Sequence, residues 1–200
     1  MIKIGITGGI GSGKSYVSKM LGRYGIPVFD CDSEAKTLTV QDEAIRSGLT
    51  ELLGPTVYTA DGLNKPVLAA YLFASKDNAT RINSIIHPRV KACFREWAAR
   101  QSDEGHPIVA MESAILIESG FHTEVDQIVM VHAPLEVRCQ RVIARDHTTL
   151  EEVKKRIAAQ LSDEVKCQQA DFIIENDGIA ALDDQLDKLI SRLNGIKGDK

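Results

Sequence analysis

Short apolar runs alternate with helical periodicity along this chain, and that order predicts a parallel sheet. Ile2-Lys3-Ile4-Gly5-Ile6 alternates like a half-buried strand and runs into a glycine-rich turn. Ser15 to Tyr24 then carries Val17, Met20 and Leu21 on one helical face. Gly25 stops this helix, and Ile26 to Phe29 reads as a second strand, which opens a βαβ unit. Further buried strands are expected at Pro107–Met111, Ile128–Val131 and Phe172–Ile174. The predicted class is therefore α/β, a five-stranded parallel sheet flanked by helices.

Two stretches do not fit a plain crossover. Ser33 to Gly105 is mostly helical in pattern and too long for one, so it reads as an inserted helical subdomain. Its turn signals are Leu53-Gly54-Pro55, Asp61-Gly62 and His87-Pro88, the last placed at a helix boundary. Leu135 to Gln169 is rich in Arg, Lys and Glu and reads as two helices. The pair Thr149 and Glu152 suits a capping box at the start of the second. Leu182, Leu186, Leu189, Ile190 and Leu193 share a stripe on a final helix, and Asp187 to Lys200 reads as thinning into a polar tail. The expected division is a core of 1–32, 106–134 and 170–200, a helical domain of 33–105 and a segment of 135–169.

Composition narrows the class without naming a chemistry. With 200 residues, 44% hydrophobic and 26% charged, the chain resembles an ordinary globule rather than a disordered or fibrous one. A net charge of −4 argues against a general nucleic-acid or membrane-surface binder, though not against an anionic substrate in a local basic pocket. No apolar run is long enough to span a bilayer and no signal-type segment precedes the first strand, so a cytoplasmic location is expected. Cys31, Cys93, Cys139 and Cys167 are scattered and predict reduced thiols rather than a disulfide framework or zinc site. Oligomeric state is left open.

Chemistry enters with Gly8-Gly9-Ile10-Gly11-Ser12-Gly13-Lys14-Ser15, which fits the pattern G-x-x-x-x-G-K-[ST]. Glycines let consecutive backbone N–H groups curl round phosphate oxygens that a Cβ would obstruct. Lys14 can reach the β- and γ-phosphates, Ser15 can ligate magnesium, and the following helix adds its positive end. A chance match is made improbable by its placement between strand and helix, so a phosphate-binding P-loop is predicted.

Other residues admit two readings each. Asp30 and Asp32 follow the second strand, where a carboxylate would meet substrate, yet Asp32 or Ser33 could equally cap the next helix. Glu112 ends the third strand, where a carboxylate would hold magnesium directly or through water. Glu118, further on, suits a site or a solvated helix face equally. Arg138, Arg141 and Arg145 share a helix face, which suits a phosphate clamp beside a P-loop or a solvated surface elsewhere. On chemistry alone His87 reads as structural, and Asn176-Asp177-Gly178 as a turn that either touches a base or only reverses the chain. No D-x-x-G occurs and Asn64-Lys65-Pro66-Val67 lacks the Asp of N-K-x-D, so a GTPase is excluded. A small-molecule kinase leads. Other kinases acting on nucleosides, nucleotides or shikimate, and a non-catalytic nucleotide switch, are the alternatives.

At this level of detail the chain resembles the dephospho-coenzyme A kinase family from Ile4 to about Leu193. The likeness rests on Thr7-Gly8-Gly9-Ile10-Gly11-Ser12-Gly13-Lys14-Ser15, Val28-Phe29-Asp30-Cys31-Asp32, the Asp61-Gly62 turn and Ile86-His87-Pro88. It continues through Leu116–Gly120, Cys139–Asp146 and Ala170–Gly178. The resemblance implies a P-loop core, a helical domain that grips dephospho-coenzyme A and a helical lid, with ATP as co-substrate and Mg2+ as cofactor. It implies nucleotide contacts at Gly8, Gly9, Gly11, Ser12, Gly13, Lys14, Ser15, Tyr16, Asn176 and Gly178. Thr7, Asp32, His87 and Arg141 would meet the acceptor; Asp32, Lys14, Arg141 and Arg145 would serve catalysis; Ser15 and Glu112 would hold metal. Tyr16, Glu112, Lys65 and Ala114-Ile115-Leu116-Ile117 depart from the family's usual residues, Glu112 standing in place of Asp.

Overall fold

Strand β1 (Ile2–Thr7) lies at the centre of a five-stranded sheet, reached from the chain's first residues. The computed structural model describes residues 1–198. Helix α1 (Lys14–Gly22) and strand β2 (Val28–Asp30) complete the opening βαβ unit. A helical stretch follows: α2 (Cys31–Gln41), α3 (Glu43–Leu53), a hairpin of β3 (Tyr58–Thr59) and β4 (Gly62–Leu63), α4 (Lys65–Ala74) and α5 (Lys76–Asp103). The chain then forms β5 (Ile108–Glu112), β6 (Gln127–His132), α6 (Leu135–Asp146), α7 (Leu150–Ala158), α8 (Asp163–Gln169), β7 (Phe172–Glu175) and α9 (Leu182–Gly198).

The strand order is β2-β5-β1-β6-β7, with β1 parallel to β5 and β6, and β6 parallel to β7. From β1 the chain goes to β2 on one side, whereas from β5 it crosses to β6 on the other. Ligands bind at such a reversal, beyond the carboxyl ends of the two strands concerned. Here those ends are Thr7 and Glu112, close in register because Ile6 pairs with Glu112. Ile4 and Ile6 of β1 meet Val17, Met20 and Leu21 of α1 and Leu186, Leu189 and Leu193 of α9 in the main core. Both faces of β5 are buried, which is why its sequence runs apolar without alternation.

By its internal contacts the chain divides into one unit of Met1–Phe29 with Ala98–Lys200, and a second of Asp30–Trp97. In the second, α3 buries Ile45 and Leu49, and the Asn64 side chain caps α4 by accepting from Val67 N–H. Ala60 and Asp61 form the tight link of the hairpin, and Gly62 takes φ 111°.

Three local expectations change. The segment Leu135–Gln169 holds three helices rather than two, because Ser162 accepts from Val165 N–H and starts α8 after a break at Ser162. His87-Pro88 lies inside α5, not at a boundary. A proline there forfeits a helical hydrogen bond, but Ile82, Ile86, Val90, Phe94 and Ala98 recur every fourth residue and are all buried. That continuous stripe outweighs the local break. The expected polar tail is helical through Gly198 with Leu189 and Leu193 in the core, while residues 199–200 lie outside those described. The capping box of Thr149 and Glu152 forms as its spacing predicts.

Candidate nucleotide-binding site

The turn between β1 and α1 is held by distant side chains. Gly11 and Gly13 take φ 81° and 94°, the left-handed region open to glycine. Space makes the same demand, since a Cβ at Gly11 would strike the Arg138 carbonyl and one at Gly13 the Asn176 amide. The Ile10 N–H donates to Gln160 Oε1 at 3.0 Å, and Arg138 Nε donates to the Ile10 carbonyl at 3.0 Å. Asn176 Nδ2 donates to the Ser12 carbonyl at 2.7 Å. Arg141 Nη1 donates to the Asn176 carbonyl at 2.9 Å. The loop is thereby positioned by α6, the α7–α8 connection and the end of β7.

Lys14, Ser15 and Tyr16 open α1 and, with Gly11, Gly13, Arg141, Val142 and Arg145, line a cleft of about 170 Å3. Lys14 Nζ donates to the Gly8 carbonyl at 3.0 Å, so its charge lies over the loop. Ser15 Oγ donates to Glu112 Oε1 at 2.7 Å. The hydroxyls of Thr7 and Ser12 are buried without a hydrogen-bond partner. Buried donors of this kind at the edge of a glycine-rich loop suit a bound oxyanion.

The aligned arginines have three different fates. Arg138 is almost fully buried and pairs with Asp163, so it supports the loop rather than facing a ligand. Arg141 reaches the cleft while anchored to Asn176. Arg145 also lines the cleft but pairs with Asp146 at 2.7 Å, and Asp146 pairs with Arg156 of α7 at 2.6 Å. The two guanidinium groups hold the Asp146 carboxyl well below the usual carboxylate range.

In the second unit, Asp30 caps α2, accepting from the N–H groups of Asp32 and Ser33 at 3.0 and 3.1 Å. Capping therefore falls to Asp30, not to Asp32 or Ser33, and the exposed Asp32 sits in the first turn. His87 is half-buried on α5; burial first, then the Lys91 charge, lowers its pKa.

Gln160, Asp163 and Lys166 escaped the reading of the sequence. Lys166 is fully buried, pairs with Glu118 at 2.9 Å and donates to the Ala114 carbonyl at 2.8 Å. Glu118 also accepts from Leu161 N–H, which makes it an anchor for the α7–α8 connection rather than a solvated residue. No spacing in the chain links these partners. Only a charged run flanked by apolar positions marked them.

A glycine-rich loop at the carboxyl end of a central parallel strand, at the point where the strand order reverses, defines a P-loop protein of the small-kinase fold. Residues 2–181 match the family model described as Dephospho-CoA kinase, and the chain belongs to that family. It is 52% identical over 192 residues to Dephospho-CoA kinase of Bacteroides fragilis strain YCH46, covering 96% of this chain and 93% of the relative. TT1252 from Thermus thermophilus superposes with a TM-score of 0.81 at 33% identity over 97% of both chains. The Campylobacter jejuni Dephospho-CoA kinase shares the fold, with a TM-score of 0.67 at 21% identity over 99% of this chain and 98% of that one.

Proposed function

We propose that this protein transfers the γ-phosphoryl group of ATP to the ribose 3′-hydroxyl of dephospho-coenzyme A, yielding coenzyme A and ADP. The observation that carries the reading is the match to named dephospho-CoA kinases along almost the whole chain, the helical stretch included. A nucleoside, nucleotide or shikimate kinase is not favoured, because relatives at 52% and 44% identity are named Dephospho-CoA kinase, whereas a shikimate kinase shares the fold at 15% identity.

The loop N–H groups and Lys14 hold the β- and γ-phosphates, with Thr7 and Ser12 hydroxyls as further donors. Ser15 Oγ and Glu112 Oε1 form an adjacent pair of hard oxygen donors, which fits Mg2+, an ion that keeps several waters and needs few protein ligands. Among the described residues no group of three or more His, Cys, Asp or Glu forms a metal site, so the pair would act with waters and phosphate oxygens. When bound, the ion would neutralise charge between the β- and γ-phosphates. Arg141 and Arg145 add positive charge over the transferred group, and α6–α8 act as the lid that excludes water. Residues 33–105 hold the acceptor, and His87, whose pKa is lowered by burial and then by Lys91, contacts it. Asp32 orients the 3′-hydroxyl and takes its proton late, because the transition state is loose and little base strength is needed. Asn176 and Gly178 border the adenine, and the enzyme works in the cytoplasm.

ADP release measured across dephospho-coenzyme A, nucleosides, nucleotides and shikimate tests this. The expected result is turnover that depends on dephospho-coenzyme A. Equal or better turnover with another acceptor overturns it. Asp32→Asn should lower kcat by about 10²-fold or more, and unchanged kcat would remove Asp32 from the chemistry.

A further inference from the structure

Three charged side chains beside the phosphate cleft are joined in a way that the function proposed above does not use. Arg145 lines the cleft and, with Asp146, ends α6. Its Nε donates to Asp146 Oδ1 at 2.7 Å and its Nη2 to Oδ2 at 3.1 Å. From α7, Arg156 Nη1 donates to the same Oδ2 at 2.6 Å. Neighbouring positions on a helix point about 100° apart, so an arginine and the aspartate next to it do not meet by spacing. Both side chains must bend together, at a cost in side-chain entropy. The guanidinium from a second helix offsets that cost with a further charge-assisted hydrogen bond to the shared carboxylate.

The fold delivers Arg156 to this point. Helix α6 stops at His147, which takes φ 51° and is the only non-glycine residue with positive φ among those described. From there the chain enters α7 at its Thr149 cap. Val153 of α7 is buried with Cys139 and Val142 of α6, and Ile157 and the loop residue Ile10 pack against them. Arg156 stands between Val153 and Ile157 on the same helix, so apolar packing sets its reach to Asp146.

A guanidinium carries five N–H donors, and Asp146 takes two of those on Arg145, which leaves three on a fork whose plane is fixed. A carboxylate beside a polyanion site is unfavourable on charge alone, so the place of Asp146 rests on what it holds. Resting on the function proposed above, we propose that Asp146, held from α7 by Arg156, is a positioning residue that fixes the Arg145 guanidinium for the transferring phosphoryl group. The loop and Lys14 hold ATP in the ground state, whereas charge spreading over the transferring group is stabilised most by a cation already in place. The trio therefore acts on kcat more than on KM for ATP.

ADP release with dephospho-coenzyme A, measured on the full chain and its variants, tests this. Asp146 is 25% exposed and Arg156 50%, so substitutions at both are compatible with folding. Asp146→Asn keeps the shape and makes the local charge more positive. On charge alone it should lower KM for ATP and leave kcat as it was. Positioning predicts instead a kcat lower by about 10-fold or more, with KM for ATP nearly unchanged. Arg156→Gln should do the same. Lys155→Gln, an equal loss of charge one residue away at a side chain 72% exposed, should leave kcat as it was. In an Arg145→Ala background Asp146→Asn should cost nothing further, because its effect runs through Arg145. Unchanged kcat in Asp146→Asn, equal effects of Arg156→Gln and Lys155→Gln, or losses that multiply in the double variant overturn the proposal and leave the function standing. Absence of acceptor-dependent release by the unsubstituted chain overturns the function, and this inference with it.

Discussion

The phosphate loop and the helical unit are built to opposite rules. Around the loop, the backbone is fixed by partners far along the chain: Gln160 and Arg138 on Ile10, and Asn176 on Ser12. In the helical unit the candidate contacts, Asp32 and His87, are side chains, and the support of Asp32 is local, with Asp30 as cap. A polyanion demands converging, fixed dipoles, because a misaimed N–H is worth little in a partly wet cleft. A flexible acceptor demands less, because each side-chain contact adjusts on its own. The first region should therefore be brittle to substitution and the second graded.

The largest break is expected at Lys14→Ala, which removes the charge lying over the loop. Loss of kcat/KM by about 10³-fold, read in the ADP-release assay, is the expected outcome. A tenfold effect would mean that the backbone suffices. Next comes Asp163→Ala, which leaves Arg138 buried without its carboxylate. Chemical denaturation should show a destabilisation of about 3 kcal/mol, and nucleotide affinity should fall with it because Arg138 also fixes the Ile10 carbonyl.

Asn176→Ala sharpens the comparison at a smaller scale. It leaves the Ser12 carbonyl without its donor and Arg141 without part of its anchor. A loss of about 2 kcal/mol is expected in kcat/KM for ATP, with KM for the acceptor little changed. Equal damage to both substrates would contradict the separation of the two regions.

The smallest effect belongs to His87 in the helical unit. Its pKa is lowered in the folded chain, first by burial and then by Lys91, so the unfolded chain binds the extra proton more readily. The stability this contributes is present above the unfolded value of about 6.5 and is lost as pH falls through it and the lowered folded value. Thermal melts from pH 7.5 to 5 should show a steeper loss for the unsubstituted protein than for His87→Gln. Superimposable pH profiles would show that His87 does not gain a proton on unfolding.

Where the sequence carried its own partners, it was legible. The Thr149 and Glu152 capping box, the strands around β5 and β6 and the leucine stripe of α9 are local patterns, and the structure follows them. Pro88 was misplaced because a breaker is local information, whereas the stripe that overrides it spans five turns of α5. In the sequence the cap reads as Asp32 or Ser33, and only the backbone geometry assigns it to Asp30. The arginine row shows the same limit. Helical spacing puts Arg138, Arg141 and Arg145 on one face, but their separate partners Asp163, Asn176 and Asp146 decide that they do different work.

By itself the sequence determined the phosphate loop, the five core strands and the family, because these depend on residues within a few positions of one another. The partners of Ile10, Ser12 and Glu118, and the reach of Arg156 to Asp146, were decided only by the tertiary structure. A buried backbone group takes whichever donor or acceptor the fold brings to it, and the intervening sequence carries no periodicity that marks the pair.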